Sequence, residues 1–186
     1  MNAGMTMREE LEEKLANEFP FMRRGNSYKE QEKSGEIRDL FGAFGCEVGD
    51  GWYEVLRGLC HEVAKAYESA GLPVDIVVDR VKEKFGQLRF HYHRVDYDPG
   101  IHAIDSLDGR DLQAKPDRSE LHQEVTKIVQ KWKISSTTVC ESCGAAGVLR
   151  RDLRWVQTLC QQCYSPRKQK IDEWRLKKEY NDGQRI

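Results

Sequence analysis

The sequence predicts an α+β fold in which helices pack on a small antiparallel hairpin or sheet, followed by a C-terminal four-cysteine ribbon. Three observations predict it. Apolar residues between Trp52 and Ala70 recur every three or four positions, the period of a helix with one buried face. Leu88, Phe90 and Tyr92 alternate with Arg89, His91 and His93, the period of a half-buried strand. Four of the six cysteines stand in two close pairs, Cys140/Cys143 and Cys160/Cys163.

Residues 6–18 read as a short surface helix, with Thr6 as its cap and Leu11 and Leu15 one turn apart. Phe19-Pro20-Phe21 ends it, because proline restricts the residue before it and cannot continue the hydrogen bonding. Residues 23–35 are polar and glycine-punctuated, so a loop is expected, and residues 36–44 fit a second short helix stopped by Gly45. The strongest helix follows Asp50, its expected N-cap. Trp52, Val55, Leu56, Leu59, Val63, Ala66 and Ala70 form the stripe, and Gly71 with Pro73 marks the stop.

Residues 74–82 and 87–94 are expected to pair as antiparallel strands, with Lys82-Glu83-Lys84-Phe85-Gly86 between them and Gly86 supplying positive φ. A hairpin alone is marginal in water, so a helix or a further strand must cover its apolar face. Residues 95–117 are acidic and turn-rich, with a helical turn expected near residues 101–107. Asp117 followed by Glu120 resembles a capping box for a helix bearing Leu121, Val125, Ile128, Val129 and Trp132. Residues 135–138 then read as a hinge, and Ile171, Trp174 and Leu176 allow a helix in the last twenty residues.

Charge divides the chain. Its 186 residues carry a net charge of -1, yet residues 1–125 hold 17 Lys or Arg against 25 Asp or Glu, and residues 126–186 hold 13 against 6. Two parts are therefore expected, an acidic α+β body over residues 1–134 and a basic ribbon with its tail over residues 135–186. The asymmetry fits either an anionic partner for the basic part or attraction between the parts. No apolar run approaches the roughly 18–20 residues that span a membrane. The first thirteen residues hold four glutamates and no apolar core of a secretory signal. A cytoplasmic location is expected, where paired cysteines hold metal more often than they form disulfides.

Cys140-x2-Cys143 and Cys160-x2-Cys163 are separated by sixteen residues, within the four-cysteine zinc spacing. A two-residue spacer lets a tight turn aim two thiolates at one ion, and the intervening chain is long enough to return the second pair. One structural Zn2+ held by Cys140, Cys143, Cys160 and Cys163 is expected. Four protein ligands close the shell, so this zinc ribbon has no position for a catalytic water. Cys46 and Cys60 read as core residues.

Residues 140–163, CESCGAAGVLRRDLRWVQTLCQQC, resemble the zinc finger of TraR-type transcription regulators. The shared elements are Cys140-Glu141-x-Cys143-Gly144, an arginine at Arg150 or Arg151, and Thr158-Leu159-Cys160-x-x-Cys163. That resemblance implies docking on RNA polymerase. Together with GDGWYEVL at residues 49–56 and VKEKFGQLRFHY at residues 81–92, the ribbon also resembles phage and prophage proteins that end in a four-cysteine zinc ribbon, which implies a host cytoplasm as the setting.

The ribbon's surface residues Arg150, Arg151, Arg154, Trp155, Arg167, Lys168 and Lys170 suit phosphate contacts with base stacking, or the anchors of a protein interface, or a plain solvated face. His91 and His93 share a strand face and offer a metal pair with Asp96 as a third ligand, or a simple surface pair. His61 and His122 read as polar helix positions. Lys82-Glu83-Lys84 reads as a solvated hairpin tip, or as a contact loop with Phe85 as an exposed aromatic anchor, and Asp50-Gly51-Trp52-Tyr53 as a binding edge or a cap followed by core aromatics. No Gly-rich phosphate loop, G-x-S-x-G or H-E-x-x-H motif occurs. The expected function is a zinc-stabilised interaction protein, non-enzymatic, acting on a host protein complex. The alternative is a nucleic-acid-binding regulator, and a weaker third is a hydrolase at His91 and His93.

Overall fold

The computed structural model describes residues 6–25, 39–94 and 118–183, with side chains as far as residue 178. It is an α+β structure. Helix α1 (Glu9–Glu18) leads into a 3-10 turn at Pro20–Met22, and α2 (Leu40–Phe44) into the short strand β1 (Cys46–Glu47). A 3-10 turn at Asp50–Trp52 opens α3 (Tyr53–Ser69), followed by β2 (Ile76–Lys84) and β3 (Gln87–Arg94). Helix α4 (Ser119–Ser135) passes through a 3-10 turn at Ser136–Thr138 into the hairpin β4 (Val148–Arg150) and β5 (Gln157–Leu159), and α5 (Gln161–Gly183) closes the chain. Residues 26–35 of the loop expected over residues 23–35, the turn near residues 101–107, Asp96 and Asp117 lie outside the described residues.

The apolar stripe of α3 is its buried face. Trp52, Leu56, Leu59 and Val63 are fully buried, while Ala70 lies outside the helix and is exposed. Gly71, at φ +66°, takes the left-handed position that ends the helix. Gly58 is the contact with α4: a Cβ there would run into the indole ring of Trp132. Helices α3 and α4 pack together, and α4 lies against β3.

Strands β2 and β3 pair antiparallel across a two-residue turn, Phe85-Gly86, in which both residues have positive φ (57° and 73°). The turn is shorter than its sequence suggests, since Lys82, Glu83 and Lys84 are paired residues of β2. Val78 and Val81 are three apart yet both buried, because the register slips between Val78 and Arg80 and leaves Asp79 unpaired. A bulge of this kind flips the alternation and keeps both valines inward. The unexpected third strand is β1, parallel to β2 with Cys46 opposite Val81.

Three boundaries differ from the sequence reading. Helix α1 starts at Glu9 and Thr6 does not cap it; Met7 N–H donates to the Cys46 carbonyl at 3.0 Å, which holds the preceding chain extended along β1. Asp50 does not cap α3; its carboxylate accepts from the Arg8 N–H at 2.8 Å and from Arg8 Nε at 2.5 Å, tying down the entry to α1. Helix α2 starts at Leu40, with extended Asp39 as its N-cap accepting from Gly42 N–H at 2.7 Å. The core gathers Leu15, Phe41, Cys46, Cys60, Tyr67, Leu88 and Val125 around the α3 stripe. Burial pushes the thiols of Cys46 and Cys60 well up, so both stay protonated and behave as small apolar groups. Among the described residues no helix is long and apolar enough to cross a membrane.

Candidate metal centre

The first cysteine pair sits on a tight turn. Cys140 N–H donates to the Ala145 carbonyl at 2.7 Å and Gly144 N–H to the Cys140 carbonyl at 2.8 Å, with Gly144 at φ +78°. The second pair spans the start of α5. Cys160 precedes the helix, and the Cys163 N–H points at its sulfur, 3.4 Å away. That amide holds the Cys160 thiol down at about 7, the usual effect of a helix start on a thiolate. Hairpin β4–β5, with Val148 opposite Leu159 and Arg150 opposite Gln157, is the return path that joins the pairs.

The four ligand sulfurs lie within 4.8 Å of one another, and Cys143 Sγ is 3.6 Å from Cys160 Sγ. A tetrahedron with Zn–S bonds of about 2.3 Å has edges of about 3.8 Å. A disulfide would bring two sulfurs to about 2.05 Å, and all six cysteines are free. Burial, reinforced by the neighbouring sulfurs, pushes Cys163 up to about 12. Thiolates this close repel one another, and a divalent cation between them reverses the sign of that interaction. The donor set and its spacing therefore fit one structural zinc with a closed shell.

The centre is seated on the body. Gly51 N–H donates to the Glu141 carbonyl at 2.9 Å, and a Cβ on Gly51 would run into the backbone of Cys140, Cys143 and Gly144. Trp52 Nε1 donates to the Val139 carbonyl at 2.8 Å. Thr158 Oγ1 donates to the Gly86 carbonyl at 2.7 Å, and Leu88 N–H to Ser136 Oγ at 2.9 Å. Residues 135–138 thus form a fixed turn stitched to β3. Glu141 is 2% exposed and its carboxylate accepts from Gly49 N–H at 3.2 Å; burial, with Glu83 nearby, pushes it up to about 7.

The basic residues divide into two groups. Arg167 donates to Gln157 Oε1 at 2.9 Å and to Ser142 Oγ at 2.7 Å, clamping the first cysteine turn to β5. Arg150 lies over the Tyr164 ring at 4.1 Å and reaches Gln161 Oε1 at 3.0 Å, fastening β4 to α5. Lys168 pairs with Asp172 at 2.5 Å on the same helix. Arg151, Arg154, Trp155 and Lys170 are exposed. Arg154 and Lys170 join Ile171, Trp174 and Arg175 around a groove of about 490 Å³ beside α5. The sequence reading did not place Trp174 and Arg175 on this surface. Their spacing from Lys170, four and five positions, is the signal, and it becomes visible once α5 is known to begin at Gln161.

His91 and His93 are exposed on β3, and His93 Nδ1 lies 2.6 Å from Asp79 Oδ1. They gather no third ligand among the described residues, where the four cysteines are the one cluster able to hold a metal. No family model, curated protein or solved structure matches the chain.

Proposed function

We propose that the protein is a zinc-stabilised, non-enzymatic interaction protein that docks on a macromolecular complex through its basic ribbon and α5. In this reading an acidic body, residues 1–134, carries a basic ribbon and tail, residues 135–186. A phage or prophage setting, with a complex of the bacterial host as the target, is the form suggested by the resemblance of residues 49–56, residues 81–92 and the ribbon together to phage and prophage proteins. The observation that carries the reading is the fate of the cations. Between Arg150 and Lys178 there are nine Lys or Arg against three Asp or Glu. Arg150, Arg167 and Lys168 make contacts within the ribbon and α5, while Arg151, Arg154 and Lys170 stand exposed beside Trp155 and Trp174. A closed metal site stiffens such a face without performing chemistry of its own, and exposed Trp with Arg suits an interface.

The test is affinity capture from bacterial host lysate with the tagged, zinc-loaded protein, beside an Arg151→Ala/Arg154→Ala/Lys170→Ala variant that keeps one zinc per chain. A defined complex held by the wild type and lost by the variant is expected. Equal capture by both would refute the reading.

A further inference from the structure

We infer that the groove between Arg154 and α5 binds single-stranded nucleic acid, taking a base against Trp174 and Ile171 and the flanking phosphates on Arg154, Lys170 and Arg175. The inference rests on the docking reading above and names the occupant of that surface.

Among the described residues the lining is chemically one-sided. Its side-chain polar groups, two guanidiniums, one ammonium and the indole N–H, are all donors, and Ile171 is apolar. Among the described residues no carboxylate pairs with Arg154, Lys170 or Arg175, since Asp172 is held by Lys168 and Glu173 by Gln169. Phosphate oxygens only accept, so a phosphodiester chain satisfies this rim without leaving a donor of its own unmet. Trp174 is 63% exposed, with Lys178 Nζ over its ring at 5.6 Å, so the indole borders the groove beside a further cation. Aromatic rings set among backbone-tracking cations are the pattern of sequence-tolerant single-strand binding. Paired bases are stacked on both faces, so a duplex has no ring to offer an indole.

An acidic helix is the competing occupant. It would bury three or four apolar anchors along a stripe, whereas among the described residues the apolar part of this groove is two side chains, Ile171 and Trp174. That floor suits one planar ring better than a helix face.

The test is fluorescence anisotropy with the zinc-loaded full chain and labelled strands of oligo-dT and oligo-U. A length of about twelve nucleotides lies inside the range of known single-strand sites. A duplex of the same length is the control. Binding of either strand, with preference for dT assigning DNA and for U assigning RNA, and weaker binding of the duplex are expected. Trp174→Ala should weaken strand binding by about tenfold. Arg154→Ala, Lys170→Ala and Arg175→Ala should each flatten the log–log salt slope by about 0.7. All four side chains are on the surface, and one zinc per chain with unchanged far-ultraviolet circular dichroism verifies each variant.

Two results would overturn the inference: no strand binding, or duplex binding as tight as single-strand binding with no effect of Trp174→Ala. Lysate capture that depends on this face while purified strands fail to bind would leave docking standing, with an acidic protein as the occupant. Face variants that capture as the wild type does would remove the docking reading itself.

Discussion

Gly51 and Glu141, ninety positions apart, are joined by a main-chain hydrogen bond of 2.9 Å, and the Glu141 carboxylate reaches back to the Gly49 N–H at 3.2 Å. The first zinc-binding turn is therefore seated on the chain that opens α3, whose Trp52 is fully buried in the core of the body. Metal centre and hydrophobic core meet at one backbone junction.

That junction has no room for a side chain. Gly51→Ala drives a methyl group into the backbone of Cys140, Cys143 and Gly144, and overpacking of this kind costs about 1–3 kcal/mol. A lowered midpoint in denaturant melts is expected with one zinc still bound per chain, whereas Gly71→Ala has open space around it and tests strain from positive φ alone.

Removing the metal should loosen the ribbon while leaving the body folded. The ribbon's own buried cluster is Cys140, Leu159 and Cys160, whereas the body has a separate core around α3. Structural zinc supplies about 10–16 kcal/mol in small modules. Chelation, or Cys160→Ser, should open residues 140–163 to protease first, with far-ultraviolet helix signal from α3 and α4 retained. Simultaneous collapse of both would show that the junction makes the two parts one cooperative unit.

Acid stability should depend on Asp75. Burial raises its pKa, but the hydrogen bonds from Tyr67 and Arg118 outweigh it and leave the carboxyl below its ordinary value. A group depressed in the folded state contributes stability above its unfolded pKa of about 3.9 and loses it as pH falls further. Asp75→Asn should lower stability at neutral pH and flatten the decline below about pH 4. Unfolding midpoints from pH 2 to 7, for wild type and variant, measure it.

Metal content separates the zinc ribbon from a metal pair on β3. His91→Ala and His93→Ala should each leave one zinc per chain, because among the described residues Cys140, Cys143, Cys160 and Cys163 alone gather four ligand atoms within 4.8 Å. Atomic absorption on the two variants decides it, and a loss of metal in either would assign the histidines a ligand role.

Much of this was legible in the sequence, for identifiable reasons. The stripe from Trp52 to Ala66 and the alternation from Leu88 to Tyr92 are local periodicities, and burial obeys them. The cysteine spacing encodes its metal site because a two-residue spacer constrains two sulfurs whatever the rest of the chain does. Cap assignments were less legible. Asp50 has the chemistry of an N-cap, and sequence cannot say that the N–H it satisfies belongs to Arg8. Pro166 hid the start of α5, since a proline inside a helix argues against one.

By itself the sequence determined the α+β class, the α3 stripe, the β2–β3 hairpin and the four zinc ligands, all set by interactions between near neighbours in the chain. Only the tertiary structure decided that β1 joins β2, that Gly51 seats the first cysteine turn, and which cations face outward. Those outcomes depend on which distant donors and acceptors meet. A hydrogen bond between residues ninety positions apart leaves no periodicity for a sequence to display.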